Sequence, residues 1–270
     1  MIGLGIARRA APDPLYQLTH RPASYLRELW GANRSVGSLA RLLGRPRSEI
    51  AGYFRTLLTT DAFYSRIAES EARLRATGGG GTSPGGRADS SSEILYILVR
   101  VQRPETVVET GVALGYSSAY ILQALHDNGT GTLYSIDLPT TDPEGRVNAD
   151  GVRDRVHVRS ASETGAVIPE DLRGRWRLTL GPSNPLLAQL FESLGPIDVF
   201  FHDSEHSYEN MLWEYRQAWP RLRPGGLLLS DDVQWNRSFP EFSASVGAPA
   251  FRWFGAQGHR GAIRKPVGPA

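Results

Sequence analysis

Carboxylates stand in this chain wherever a short apolar run gives out. Glu109 closes TVVE, Asp137 closes LYSID, Asp203 follows FFH, and Asp231 and Asp232 follow LLLS. Directly after Glu109 come Gly111 and Gly115, with Ala113 between them and Ser117 beyond. A turn that bare presents backbone N–H groups at a helix N-terminus, where the charged end of a small molecule can sit. Asp137 lies 26 positions after Gly111, placed to accept hydrogen bonds from both hydroxyls of a ribose. The other three acids form a second constellation, with His206 three residues after Asp203. Carboxylates gathered in one place repel unless a positive charge sits between them, and a hard divalent cation such as Mg²⁺ satisfies them. Such an ion would lower the pKa of an acceptor hydroxyl. His206 would then take the proton, since imidazole titrates near working pH. The plainer alternatives are that Asp231 and Asp232 cap the next segment, that Asp203 touches a cofactor alone, and that His206 only orders its loop.

The glycine pattern narrows the ligand. A dinucleotide fingerprint sets a middle glycine against a pyrophosphate, and Ala113 occupies that position here. An acidic residue two positions before the first glycine suits S-adenosylmethionine, whose amino group is cationic and which carries no phosphate. Glu109 would organise that end of the pocket, while the loop amides and Ser117 take the carboxylate. A structural turn with no ligand and a nicotinamide cofactor are the competing readings.

Positioning these residues requires strands that end together. Apolar runs near 106–110, 132–137, 176–180, 197–202 and 226–230 read as strands, with helices near 91–101, 116–127, 184–194 and 208–221 between them. That alternation predicts an α/β fold with a parallel sheet covered on both faces, binding ligands at the carboxyl ends of its strands. AFRWF (250–254) and GAIRK (261–265) look like a closing antiparallel hairpin. Residues 139–175 form a long polar connection, of the kind that is either functional or disordered. His202 alternates away from Asp203 and reads as a packed structural histidine, and Trp213 and Trp235 read as packing residues.

Ahead of this body, residues 1–76 read as a helical segment, with apolar positions such as Leu39, Leu42, Leu43, Ile50, Phe54 and Leu57 at helical spacing. Residues 77–90 hold six glycines and a proline, the composition of a linker or lid, and the body covers 91–270. The net charge of +2 is unevenly spread: twelve arginines against six acidic residues in 1–76 leave the remainder acidic. SVGSLARLLGRPRSEIAGYF has Ala40, Gly44 and Ile50 at helix-turn-helix spacing, with Arg45 and Arg47 in the turn. Cysteine is absent, which excludes disulfides, a thiol nucleophile and thiolate metal sites. No apolar run reaches membrane-spanning length, and the seven residues before the first arginines are too few for a signal peptide. A cytoplasmic protein is expected.

Together these residues resemble class I S-adenosylmethionine-dependent O-methyltransferases of the metal-dependent group, over about 91–265. That group includes catechol and caffeoyl-CoA enzymes and bacterial antibiotic-sugar and cephalosporin-hydroxylase-like enzymes. The resemblance implies a Rossmann-like methyltransferase sheet, mostly parallel with a C-terminal antiparallel hairpin, behind a helical N-terminal segment. VETGVALGYSS is similar to the first cofactor loop, placing Glu109, Gly111, Ala113, Gly115 and Ser117 around the methionine part, with Asp137 on the ribose. LTLGPSNPLL looks like the adenine-side loop and suggests Gly181 and Ser183. FFHDSEHSY and LLLSDDV look like the metal motifs, which carries ligand roles to Asp203, Asp231 and Asp232. It also sets His206 near the catechol-type base, with Asp203 beside both cofactor and acceptor. The chain departs from the pattern at Ala113, at Asp-Asp where catechol-type enzymes have Asp-Asn, and in the 139–175 insertion. The implied activity is Mg-assisted methylation of a hydroxyl on a small molecule of natural-product or sugar type, by a homo-oligomer in which 1–76 caps or dimerises. Neither membrane nor nucleic acid is an expected partner. The alternatives are a DNA-binding regulator that senses S-adenosylmethionine, and a metal-independent methyltransferase acting on nitrogen or carbon.

Overall fold

The computed structural model describes residues 35–59, 61–79, 90–154, 156–254 and 259–268. Residues 80–89 of the glycine-rich stretch expected as a linker therefore lie outside the described residues. The chain divides into two compact units, residues 1–62 and 63–270. In the first, helix α1 over 35–43 and helix α2 (Arg47–Thr59) are joined by a turn in which Gly44 takes φ 64°. Val36, Leu39, Leu42, Leu43, Ile50, Phe54 and Leu57 are buried, the stripe their spacing predicts. The Arg47 guanidinium lies back over α1, so close that a Cβ on Gly37 would stand 3.0 Å from it.

The second unit opens within helix α3 (Asp61–Ala76), whose Arg66 pairs with Asp171 at 3.0 Å and donates to Gln123 at 2.6 Å. Then come α4 (Ser90–Gln102), β1 (Thr106–Thr110), α5 (Tyr116–Asn128) and β2 (Thr132–Asp137). A small hairpin, β3 (Arg146–Val147) and β4 (Arg153–Asp154), precedes β5 (Trp176–Leu180) and α6 (Ser183–Leu194). β6 (Ile197–His202), α7 (Tyr208–Arg221), β7 (Leu222–Ser230), α8 (Ser238–Ser245), β8 (Ala250–Phe254) and β9 (His259–Arg264) complete it. Seven strands form one sheet in the order β5-β2-β1-β6-β7-β9-β8, the first five parallel and the last two antiparallel. This is a Rossmann-like sheet. Strands such as VVE and VFF are buried on both faces, as parallel strands beneath helices must be. Val108, Ile136, Phe200 and Leu228 from four neighbouring strands share a core with Phe191, Met211 and Tyr215.

Two boundaries differ from the sequence expectation. β7 begins at Leu222 rather than 226, because its register with β6 shifts between Ile197 and Val199 and the irregularity absorbs Arg223–Gly226. β9 begins at His259 rather than 261, which brings Arg260 into the sheet. The 139–175 connection is a packed structure: β3–β4 and two short 3₁₀ turns, with Val158 and Val167 buried against Leu114. Among the described residues no helix is long and apolar enough to cross a membrane.

Candidate active site

The chain runs from β1 outward through β2 to β5, then returns to the other side of β1 with β6 and β7. The order therefore reverses between β1 and β6, the position where open α/β sheets form a ligand crevice. The strand tips are zipped there. Gly111 N–H donates to Ile136 O, Asp203 N–H to Thr110 O and Asp231 N–H to His202 O, each at 2.8 Å. Gly111 holds φ 83°, and a Cβ on it would stand 1.9 Å from the Asp203 carbonyl oxygen. Only glycine allows these two tips to approach so closely. Ala113 also takes a left-handed φ, 49°, where a glycine would be unstrained.

A cavity of about 1040 Å³ opens over these tips. Gly111, Ala113, Gly115, Ser117, Asp137, Gly181, Ser183, Asp203, His206, Asp231 and Asp232 all line it, so residues spread over some 120 positions meet in one space. Asp137 accepts from Val112 N–H at 2.8 Å and Ala113 N–H at 3.3 Å, which fixes the loop to β2. Its second oxygen has only a long 3.4 Å bond from Thr164, and burial pushes its pKa up.

Glu109 is the correction. It is fully buried and absent from the cavity wall, because Ser118 and Ser135 donate to it at 2.7 Å and Ser117 at 3.3 Å. It staples the first turn of α5 to β2, behind the loop that lines the cavity. Burial pushes its pKa up to about 7, against the three hydroxyls that lower it. Because the folded state then keeps a proton the unfolded chain releases near pH 4.5, this carboxyl costs nothing below that pH. The cost grows to about 3 kcal/mol as pH rises to 7. Chemical denaturation should therefore show Glu109→Gln losing less stability than the parent between pH 4.5 and 7; parallel pH curves would reject this assignment.

The acid cluster is held by strand ends. Asp203 follows β6 and Asp231 follows β7; burial and the facing Asp231 push the Asp203 carboxyl well up. Asp231 stays low despite its burial, because the Arg260 guanidinium donates Nε to Oδ1 at 2.9 Å and Nη2 to Oδ2 at 3.4 Å. Asp232 takes φ 46° and accepts from Gln234 at 3.0 Å; burial and Asp231 raise it to about 6. His206 Nε2 lies 3.9 Å from Asp203 Oδ1, and its ring sits 5.0 Å from that of Trp235 and 5.3 Å from that of His202. Neither of its ring nitrogens has a hydrogen-bond partner among the described residues. Burial, then the neighbouring His202, push its pKa down to about 3. It is therefore a neutral imidazole at working pH and a weak base.

Residues 108–233 match the model of a family described as a methyltransferase domain. That stretch, from β1 to just past β7, is similar to a methyltransferase domain. Solved structures share its fold. The O-methyltransferase from Bacillus cereus in complex with SAH is 17% identical, with TM-score 0.50 over 74% of this chain and 91% of that one. TomG, the O-methyltransferase from Streptomyces achromogenes involved in tomaymycin synthesis, was solved with SAM; it is 18% identical, with TM-score 0.52 over 79% and 94%. The SAH-bound methyltransferase PaMTH1 of Podospora anserina is 14% identical, with TM-score 0.50 over 76% and 88%. No curated protein matches the chain.

The cavity also contains residues that sequence reasoning left out of the site. Trp235, expected as a packing residue, lines the cavity; its place five residues into a loop after a strand tip was the available signal. Arg146, Asn148, Arg153 and Asp154 reach it from the β3–β4 hairpin, whose Asp150 accepts from Tyr208 N–H at 2.7 Å at the start of α7. Arg260 lines it from β9. Among the described residues no three His, Cys, Asp or Glu side chains are grouped as a metal-ligand set, and both oxygens of Asp231 are committed to Arg260. As placed, Asp203, Asp231 and Asp232 do not fit a resident divalent ion.

Proposed function

We propose that the methyltransferase domain binds S-adenosylmethionine at the β1–β6 switch point and methylates a hydroxyl of a small molecule held against Asp203 and His206. One observation carries this reading: the glycine loop, Asp137, Asp203 and His206 line a single cavity. Its volume lies at the upper end of the range for ligand pockets, which is compatible with a donor and an acceptor lying side by side. The SAH and SAM bound to structural neighbours point the same way. When bound, S-adenosylmethionine supplies an electrophilic methyl group on a sulfonium. The chain's residues do the rest. The loop amides, with the Ser117 N–H at the start of α5, anchor a carboxylate, Asp137 orients a ribose, and the close approach of Gly111 to Asp203 sets cofactor and acceptor sites against each other.

Asp203 is the proton acceptor in this reading. As a C–O bond forms and the C–S bond breaks, the hydroxyl proton passes to the Asp203 carboxylate, which burial makes more basic than an ordinary one. A cationic donor beside it favours its ionised form. His206, neutral and unpartnered, orients the hydroxyl across the 3.9 Å gap to Asp203. The Mg²⁺ implied by the resemblance is the finer reading that these side chains, as placed, do not accommodate, and no step runs through it.

Calorimetry with S-adenosylhomocysteine tests the reading: one site per chain is expected, and Asp137→Ala should weaken binding about tenfold or more, near 1.4 kcal/mol. Binding of NAD(P)H in place of S-adenosylhomocysteine would move the fold to nicotinamide chemistry. An acceptor screen by mass spectrometry, seeking a gain of one methyl on oxygen, identifies the class of hydroxyl.

A further inference from the structure

Arg260 enters the acid crevice from the antiparallel side of the sheet. Ser230 pairs with Gly261 across β7 and β9, so Arg260 and Asp231 leave that register as near neighbours. The arginine is 8% exposed. Its guanidinium lies 5.5 Å over the Phe201 ring, holds both oxygens of Asp231 and donates Nη1 to Ser92 at 3.4 Å. A planar fork with this many fixed partners is a preorganised cation, unlike a surface arginine swinging over an acid.

A divalent ion asks for something else. Mg²⁺ needs near-octahedral oxygen ligands drawn to short distances, and no such set is grouped among the described residues. A second cation beside the guanidinium would also meet its charge in a site shielded from water. We infer that the Arg260 guanidinium is the resident cation of the Asp203–Asp231–Asp232 crevice, standing where related enzymes are expected to place a divalent metal. It acts as a positioning residue, fixing Asp231 beside Asp203. The inference rests on the proposed methyl-transfer site only for what the crevice does; the cation assignment stands on geometry.

Mn²⁺, whose free form gives a paramagnetic resonance signal, tests it on chelator-treated full-length protein. The parent should leave nearly all Mn²⁺ free up to millimolar concentration. Arg260→Gln, which uncovers the Asp231 oxygens and removes the positive charge, should bind Mn²⁺ at least tenfold more tightly. Arg260→Lys, which keeps the charge, should resemble the parent. One Mn²⁺ bound to the parent at micromolar concentration and lost in Asp231→Asn would overturn the inference, as would Arg260→Gln and Arg260→Lys behaving alike. Thermal melting and S-adenosylhomocysteine calorimetry on the same samples separate misfolding from metal effects. They also distinguish failure of this inference, in which S-adenosylhomocysteine still binds, from failure of the methyltransferase assignment, in which it does not.

Discussion

In Asp203→Asn, kcat for methyl transfer should fall by about 10²- to 10⁴-fold, the usual contribution of a positioned base, while S-adenosylhomocysteine affinity changes little. Asparagine keeps the shape of the side chain and removes its capacity to accept a proton. Asp203 must be ionised to act, and burial with the facing Asp231 pushes its pKa up. The acidic limb of the kcat/KM profile should therefore lie above the ordinary carboxylate range, with activity rising as pH rises through it, and the asparagine variant should lose that limb. His206→Gln should cost less, since a ring with pKa near 3 contributes orientation and little basicity. If His206→Gln equals Asp203→Asn in loss of kcat and abolishes the same limb, the proton goes to the histidine instead.

The parallel strands were legible because each is a short β-branched or aromatic run closed by a turn, and no tertiary pairing had to override that local preference. β1, β2, β5 and β6 fall where the apolar runs fall. The cofactor-side wall was legible for a similar reason: a parallel sheet forces whatever follows each strand to one rim, so reading the residues after five strands reads the rim. Glu109 misled because residue type cannot tell whether a carboxylate at a strand end turns inward or outward. Three serines, two in the next helix and one on β2, settle the matter here; they stand inside the same motifs, but which way each hydroxyl points is fixed only once the helix packs on the sheet. Arg260 was illegible for another reason. It sits at the start of an antiparallel strand that runs away from the rim, where chain position says nothing about proximity to Asp231 until the β7–β9 register is known. The hairpin residues around Arg146 and Asp154 lay hidden in a connection whose polar composition predicts a loop and whose folding depends on Val158 and Val167 finding Leu114.

Beneath the crevice, Glu214 should prove the most costly side chain to truncate. It is fully buried on α7 and accepts from His202 Nδ1 at 2.7 Å, Thr110 Oγ1 at 2.5 Å and Ser204 Oγ at 2.8 Å. Burial raises its pKa, but the charge and hydrogen bond of His202 outweigh that and hold the carboxylate ionised. One helix residue thus ties the tip of β1, the tip of β6 and the loop carrying Asp203. Glu214→Ala strands a buried histidine and two hydroxyls, and breaking a buried pair from one side costs roughly 3–5 kcal/mol. That is a large share of the 5–15 kcal/mol that typically separates folded from unfolded protein. Urea unfolding should record the loss as a lower midpoint. Glu214→Gln, which retains an acceptor of the same shape, should recover part of it. Because the same contacts set the separation of Gly111 and Asp203, a variant that still folds should also bind S-adenosylhomocysteine more weakly. An unchanged urea midpoint in Glu214→Ala would mean that the strand tips are held by the backbone bonds between them alone, and that the buried network merely fills space behind the site.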